Sequence, residues 1–312
     1  MKLDIIVPTL NEEETVEKLY NEVNTIFNDI KYNLIFVDDG STDNTLSILK
    51  YLYKNDNEHI KVISFSRNFG KDAAIHAGLS ASTAEYAVIV DADMQQHPKY
   101  ILKMLEFLKD NPDYDVVCMV NNYKNEGILQ KIGKRTFYKL MKKSTNQNYV
   151  PGASDFRLMR HSVVKALTSM HESNRFTKGL FSYAGFKTHY IDYKPDKRIA
   201  GKSKFKLKSQ IAYAINGIFN FSTLPLRFAS ILGGTISFGA FIYLLITVIK
   251  TIVQGKDVPG YASLMCVLLI LGGLILFVLG IIGEYVSRTY IEIKNRPVYI
   301  VKEKIGYKED IL

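Results

Sequence analysis

Two stretches in the last third of the chain carry no charged residue, and they constrain the fold more than anything else in it. Phe228–Ile249 runs for 22 residues without a charge, and Val258–Gly283 is likewise uncharged. Each is long enough to cross a hydrocarbon core of roughly 30 Å. A buried soluble helix of that length would show a polar face, and neither stretch has one. The sequence therefore predicts two transmembrane helices over residues 228–286. The short connection Lys250–Asp257 holds Lys250 and Lys256. The outer flanks hold more cations: Arg198, Lys202, Lys204, Lys206, Lys208 and Arg227 before the first span, and Arg288, Lys294, Arg296, Lys302, Lys304 and Lys308 after the second. The positive-inside rule then places both termini in the cytoplasm and the short loop outside. The opening residues do not read as a signal peptide, because Asp4 interrupts a short apolar run.

The formal charge is +9, and the acid-free stretch from Arg198 to Arg227 carries six of the cations. Nucleic acid is one partner for such a patch. A membrane surface suits it better, since a span follows directly. Within it, Ile211, Ala214, Ile215, Ile218 and Phe219 recur at helical spacing behind a basic lead-in, which predicts an interfacial amphipathic helix in residues 206–227. Two cysteines, Cys118 and Cys266, exclude a disulfide scaffold and a cysteine-based zinc site. The six histidines show no metal-ligand spacing.

Residues 1–205 read differently. Strand-length apolar runs (Leu3–Pro8, Asn33–Val37, Ile60–Phe65, Tyr86–Val90, Asp115–Val120) alternate with helical patterns. Asn11 is placed to cap a helix with Glu12, Glu13 and Glu14 in its first turn and Val16, Leu19, Val23, Ile26 and Phe27 as its apolar stripe. Pro98 opens another, with Ile101, Leu102, Leu105 and Leu108 facing inward. Such alternation predicts an α/β fold with a doubly wound, mainly parallel sheet. Residues 287–312 form a C-terminal cytoplasmic tail in this reading.

In doubly wound sheets, ligands bind beyond the carboxyl ends of the strands. Four successive strand ends are polar here: Pro8-Thr9-Leu10-Asn11-Glu12, Asp38-Asp39-Gly40-Ser41, Ser66-Arg67-Asn68-Phe69-Gly70-Lys71 and Asp91-Ala92-Asp93-Met94-Gln95. Any one could be a turn; together they read as a site. The glycine fingerprints of dinucleotide-binding and P-loop proteins are absent. Carboxylates in their place suit hydrogen bonding to ribose and base, and holding a divalent cation against a diphosphate. Of the two Asp-x-Asp triplets, Asp91/Asp93 lies at the ligand end of its strand. Asp113/Asp115 precedes its strand and reads as a solvated turn.

These strand ends, with Ser154–Met159, Asn174–Gly179 and Arg198-x-x-Gly201-Lys202-Ser203-Lys204-Phe205, resemble the inverting family-2 glycosyltransferases of the GT-A fold. The likeness narrows to the polyprenyl-phosphate branch, which is similar to dolichol-phosphate mannose synthase; two C-terminal spans fit its bacterial members, which act on undecaprenyl phosphate. The resemblance implies transfer of a hexose, glucose or N-acetylglucosamine, from a UDP-sugar to that lipid, for modification of a cell-envelope glycan. Pro8, Asn11, Glu12, Asp38, Asp39, Arg67, Lys71 and Asp91 would line the donor, with Asp38 and Asp39 on its nucleoside. Asp91, Asp93 and Gln95 would place Mg²⁺ or Mn²⁺ on the diphosphate. Arg135, Arg157, Arg198, Lys202 and Ser203 would receive the lipid phosphate. Asp93 and Asp155 are the implied catalytic carboxylates, Asp155 as an orienting group, since a phosphate acceptor is already ionised and hardly needs a base. Where relatives place an arginine after the fifth strand, this chain has Asn121-Asn122-Tyr123-Lys124, and Lys124 substitutes a point charge for a fork.

Two other readings stay open. A processive polysaccharide synthase of the same fold would carry a Gln-x-x-Arg-Trp motif, and this chain has no tryptophan. A non-catalytic membrane scaffold would not need Asp91/Asp93. Glycines in both spans permit close helix approach and homo-oligomerisation. A flippase and a downstream glycosyltransferase are the further partners implied. The sequence names neither the sugar nor the final glycan.

Overall fold

The computed structural model describes residues 2–121, 150–194, 218–219, 222–254 and 260–307. The chain divides into two compact units, Met1–Ala214 with Pro297–Leu312, and Ile215–Arg296. Arg135, Arg198, Lys202, Ser203, Lys124 and most of the expected interfacial helix lie outside the described residues.

The first unit holds an eight-stranded sheet ordered β7-β5-β6-β4-β1-β2-β3-β8. Its parallel block is β1 (Lys2–Thr9), β2 (Lys31–Asp38), β3 (Ile60–Phe65) and β4 (Tyr86–Ile89). Helices α1 (Val16–Ile26), α2 (Thr45–Asn55) and α3 (Lys71–Ala81) connect these strands, and α4 (Lys99–Asp110) leads to β5 (Val116–Val120). Leu3, Ile5, Ile6 and Val7 are all fully buried, as in a strand covered on both faces. The mixed, mostly parallel sheet is the α/β architecture expected.

Two details depart from the sequence expectation. Asn11 does not cap α1; it sits at φ 52°, and Glu12–Glu14 form a turn before the helix begins after Thr15. The Asn11 side chain is spent elsewhere: its Oδ1 accepts from the Thr42 N–H at 2.8 Å, tying the β1 and β2 loops together. In α4, Ile101, Met104, Leu105 and Leu108 are buried, whereas Leu102 is 37% exposed. One position past Ile101 the helix has turned about 100° away from the core.

Beyond β5 the sheet ceases to be parallel. β6 (Ala153–Arg160) inserts between β4 and β5, antiparallel to both. After α5 (His161–Thr168) and α6 (Thr177–Ala184), β7 (Thr188–Asp192) pairs parallel to β5. Residues 287–312 are not simply a tail: β8 (Val301–Ile305) adds to the far edge, antiparallel to β3.

The second unit contains α7 (Leu224–Gln254) and α8 (Tyr261–Ile293). Within them, Leu224–Val253 and Ser263–Ile293 are long and apolar enough to cross a membrane. Their apolar side chains face outward, Leu276 being 72% exposed. Outward apolar faces on two such helices suit lipid, not water. The Tyr285 hydroxyl donates to the Ser222 carbonyl at 2.6 Å, tying α8 to the residues before α7.

Candidate active site

The site forms where β4 and β6 run in opposite directions. Their register pairs Ile89 with Arg157 and Tyr86 with Arg160. Continuing it two residues past Ile89 sets Asp155 opposite Asp91. The Lys71 ammonium, from the first residue of α3, stands between them: 2.6 Å from Asp91 Oδ1 and 3.1 Å from Asp155 Oδ2. Three residues remote in sequence thus form one anion–cation–anion chain.

Its electrostatics are mutual. Burial works against the Lys71 charge, yet Asp91 and Asp155 hold its pKa well above the lysine range. Burial alone would raise Asp155; the cations Lys178, Lys71 and Arg157 outweigh it and hold the carboxyl well below the usual carboxylate range. Asp155 is therefore ionised throughout the physiological range. A group so weakly basic is a poor proton acceptor, and it serves better to orient cations.

Asp91 is fixed on its other side by a residue the sequence reading passed over. Gln96 is buried; its amide donates to Asp91 Oδ2 at 3.0 Å, and its Oε1 accepts from the Asp91 N–H at 3.2 Å. The adjacent Gln95 contributes its backbone N–H to Asp93 Oδ1 at 3.1 Å. Met94 between them adopts φ 59°. Among the described residues, no group of three His, Cys, Asp or Glu side chains is arranged to hold a metal. Asp91 and Asp93, two residues apart just past β4, are nonetheless hard oxygen donors. That fits a Mg²⁺-type ion, which takes one or two carboxylates from the protein and other ligands from substrate phosphates.

Asp38 and Asp39 have a different first task. Both are buried. Asp38 accepts from the Ser41 N–H (3.1 Å) and the Ser64 hydroxyl (2.9 Å). Asp39 accepts from the Phe69 N–H (2.6 Å) and the Gly70 N–H (2.9 Å), clamping the loop that delivers Lys71. Burial pushes the Asp39 carboxyl up, and those N–H groups partly offset it. Gly40 presses on this loop too: a Cβ there would lie 2.5 Å from the Arg67 carbonyl carbon, and its φ is +69°. Arg67 itself is exposed, with its guanidinium 4.0 Å from the Phe69 ring centroid.

The first strand end is arranged by backbone contacts. Pro8 is half-buried. The Asn11 N–H donates to Ser41 Oγ (2.9 Å), and the Glu12 N–H to Thr45 Oγ1 (2.8 Å). Arg157, expected to meet the lipid phosphate, is buried; its Nε donates to the Ser154 carbonyl at 3.0 Å and its guanidinium stacks 4.3 Å from the Phe181 ring. Asp113 and Asp115 lie away from this region, as expected of a turn: the Lys187 N–H donates to Asp115 Oδ2 at 3.1 Å.

Asp72 and Lys178 complete the surroundings. Asp72 Oδ1 accepts from the Thr177 N–H at 3.2 Å, so the first turns of α3 and α6 are pinned together and Lys178 is brought near Asp155. Burial raises the Asp72 pKa. Tyr193 is buried against Tyr100 and Phe156, and burial pushes its hydroxyl up to about 12.

Residues 4–168, more than half of the chain, match glycosyl transferase family 2. The chain belongs to glycosyl transferase family 2. It is therefore an enzyme that transfers a sugar, with the GT-A fold. Residues 224–289 match the GtrB C-terminal hairpin. The chain is 37% identical over 305 residues to the prophage bactoprenol glucosyl transferase homolog of Escherichia coli K12, covering 97% of this chain and 99% of that one. It is 36% identical over 306 residues to the bactoprenol glucosyl transferase of Shigella phage SfII, covering 97% and 98%. Among solved structures, glucosyl-3-phosphoglycerate synthase from Mycobacterium tuberculosis, crystallised with Mn²⁺, UDP-glucose and phosphoglyceric acid, matches at 17% identity and a TM-score of 0.49, over 70% of this chain and 77% of that one.

Proposed function

We propose that this family-2 enzyme moves a hexosyl group from a UDP-sugar to the phosphate of a polyprenyl phosphate lipid, with inversion at the anomeric carbon. The observation that carries the reading is the joining, in one chain, of a carboxylate-lined glycosyltransferase site to two membrane-length helices. Relatives named for glucosyl transfer on bactoprenol are similar over both parts. Glucose is the favoured sugar for the same reason, and N-acetylglucosamine the alternative. Both spans would cross a bacterial plasma membrane with the catalytic domain and both termini cytoplasmic, as the flanking cations require.

The charge balance explains why no strong base is needed. A phosphate monoester dianion attacks the anomeric carbon as the bond to the UDP oxygen breaks. The acceptor becomes a singly charged diester, and the departing UDP takes up the charge. No proton moves. The chain's task is to align two anions and tolerate their approach. Lys71 and Lys178 supply cations, Lys71 being held in place by Asp91 and Asp155. Asp155 orients these cations. Asp91 and Asp93 would hold Mg²⁺ or Mn²⁺, with Gln96 fixing Asp91 and Gln95 fixing Asp93. When bound, such an ion neutralises charge on the leaving diphosphate as a Lewis acid. Arg67 and the loop clamped by Asp39 would border the donor. Arg135, Arg198, Lys202 and Ser203 would bind the lipid phosphate, and the buried Arg157 helps hold Asp155 ionised.

The test is a transfer assay. Detergent-purified protein meets undecaprenyl phosphate, Mg²⁺ and a panel of labelled nucleotide sugars. The expected result is label entering the organic phase with one UDP-hexose, and none with Asp93→Asn. Label remaining aqueous with every donor, or transfer undiminished in Asp93→Asn, overturns the proposal.

A further inference from the structure

The segment that follows α8 returns to the sheet beside the loop that carries Lys71. Ile300 accepts from the Ser66 N–H at 3.0 Å, and β8 then pairs antiparallel along β3. The pairing is irregular where it matters. Ser64 faces Glu303, but Phe65 faces Val301, so one residue is left over between them. A bulge of this kind re-aims the neighbouring side chains.

Here it accompanies an aromatic stack. Tyr299 lies over Phe65 with ring centroids 4.8 Å apart and planes 13° apart. Phe65 in turn meets Phe69 edge-on at 5.8 Å. Phe69 is the residue whose N–H is held by Asp39, two positions before Lys71. Val298, Tyr299 and Val301 also pack on the buried cluster formed by Phe65 with Ala73, Ala74 and Ala77 of α3, the helix that Lys71 begins. The loop is thus gripped from two sides. Asp39 fixes its backbone, and the Tyr299–Phe65–Phe69 stack fixes its side chains.

A strand that only covered a sheet edge would need alternating residues and nothing more. Val301–Ile305 already meets that need. A ring stacked on the last residue of β3 lies outside the strand and is superfluous to edge cover. We propose that Tyr299 is a positioning residue for Lys71, acting through Phe65 and Phe69. This rests on the proposed role of Lys71 beside the donor.

The experiment compares three full-length variants in detergent. Tyr299→Ala removes the stack. Tyr299→Phe keeps it and loses only the hydroxyl that bonds Ser80. Ile305→Ala weakens the same strand at its other end, opposite Val62. Each is read for thermal midpoint, UDP affinity by calorimetry, and kcat and KM for transfer. In Tyr299→Ala, kcat should fall roughly tenfold, a fraction of the 10²-fold that a 1 Å misplacement can cost, and UDP should bind more weakly. Tyr299→Phe should match the wild type, and Ile305→Ala should lower the midpoint without changing kcat. If Tyr299→Ala does not fold, Tyr299→Leu, which keeps apolar volume without a ring plane, takes its place with the same expectation. Equal kcat losses in Tyr299→Ala and Ile305→Ala, or a Tyr299→Ala enzyme with wild-type kcat and UDP affinity, overturn the proposal. UDP affinity is measured without the lipid, so it separates this outcome from a wrong acceptor.

Discussion

Replacing Lys71 with methionine removes one cation from between two carboxylates while keeping the length of the side chain. Its ammonium lies 2.6 Å from Asp91 and 3.1 Å from Asp155. A hydrogen bond to a charged group contributes about 1.5–3 kcal/mol. The Lys71 side chain is 40% exposed, so solvent screening favours the lower half of that range. A loss of about 2 kcal/mol from the transition state corresponds to a fall in kcat/KM of roughly thirtyfold. The pH profile should change as well. Asp155 is held low partly by Lys71, so its removal must raise the Asp155 pKa. Below about pH 6 both enzymes should lose rate as the acceptor phosphate takes up a proton, and Lys71→Met should fall further than the wild type as Asp155 also protonates. Lipid-extracted label counted at several pH values measures both effects. A Lys71→Met enzyme within twofold of wild type, with an unshifted acid limb, would refute the chain of charges as the working part of the site.

Other outcomes follow from neighbouring contacts. Chelation of divalent cations should abolish transfer, and Mg²⁺ or Mn²⁺ should restore it in the wild type but not in Asp93→Asn. Asp39→Ala leaves the Phe69 and Gly70 N–H groups without their acceptor and should cost about 2–3 kcal/mol of stability, read as a lowered thermal midpoint; Asp39→Asn, which keeps one acceptor, should lose less. Asp72→Ala cuts the tie between α3 and α6 and should lower kcat roughly fivefold to tenfold with little change in KM for the donor, while Asp72→Asn, still able to accept from Thr177, should recover most of the loss. A Gln96→Ala enzyme frees one side of Asp91 and should need more metal for half-maximal rate, measured by titration with Mg²⁺.

The two long apolar helices were legible because length and lack of charge suffice to define them. So was the parallel block: β1 to β4 are apolar runs, and their carboxyl ends collect at one edge by topology alone. Asp91 was found that way. Its relation to Asp155 was not legible, because it depends on β6 lying antiparallel to β4. β6 carries Asp155, Arg157 and Arg160 among its apolar residues, and its polar half hides the strand period. β8 was missed for a similar reason. Its alternation of Val301, Glu303 and Ile305 with Lys302 and Lys304 suits a half-buried edge, but in sequence it reads as a charged tail. Asn11 misled in the other direction. It has the chemistry of a helix cap, but here it bonds a second loop, a choice that only tertiary contact decides. Gln96 and Gln95 are adjacent and alike; which side chain reaches Asp91 depends on the left-handed turn at Met94.

Direct displacement of UDP at the anomeric carbon by a lipid phosphate oxygen leaves a stereochemical record in the product. Phosphorus and proton NMR of the purified lipid product tests it most directly. The product should be a phosphodiester whose anomeric configuration is opposite to that of the donor. A product of retained configuration, or free hexose with no lipid-linked diester, would contradict it.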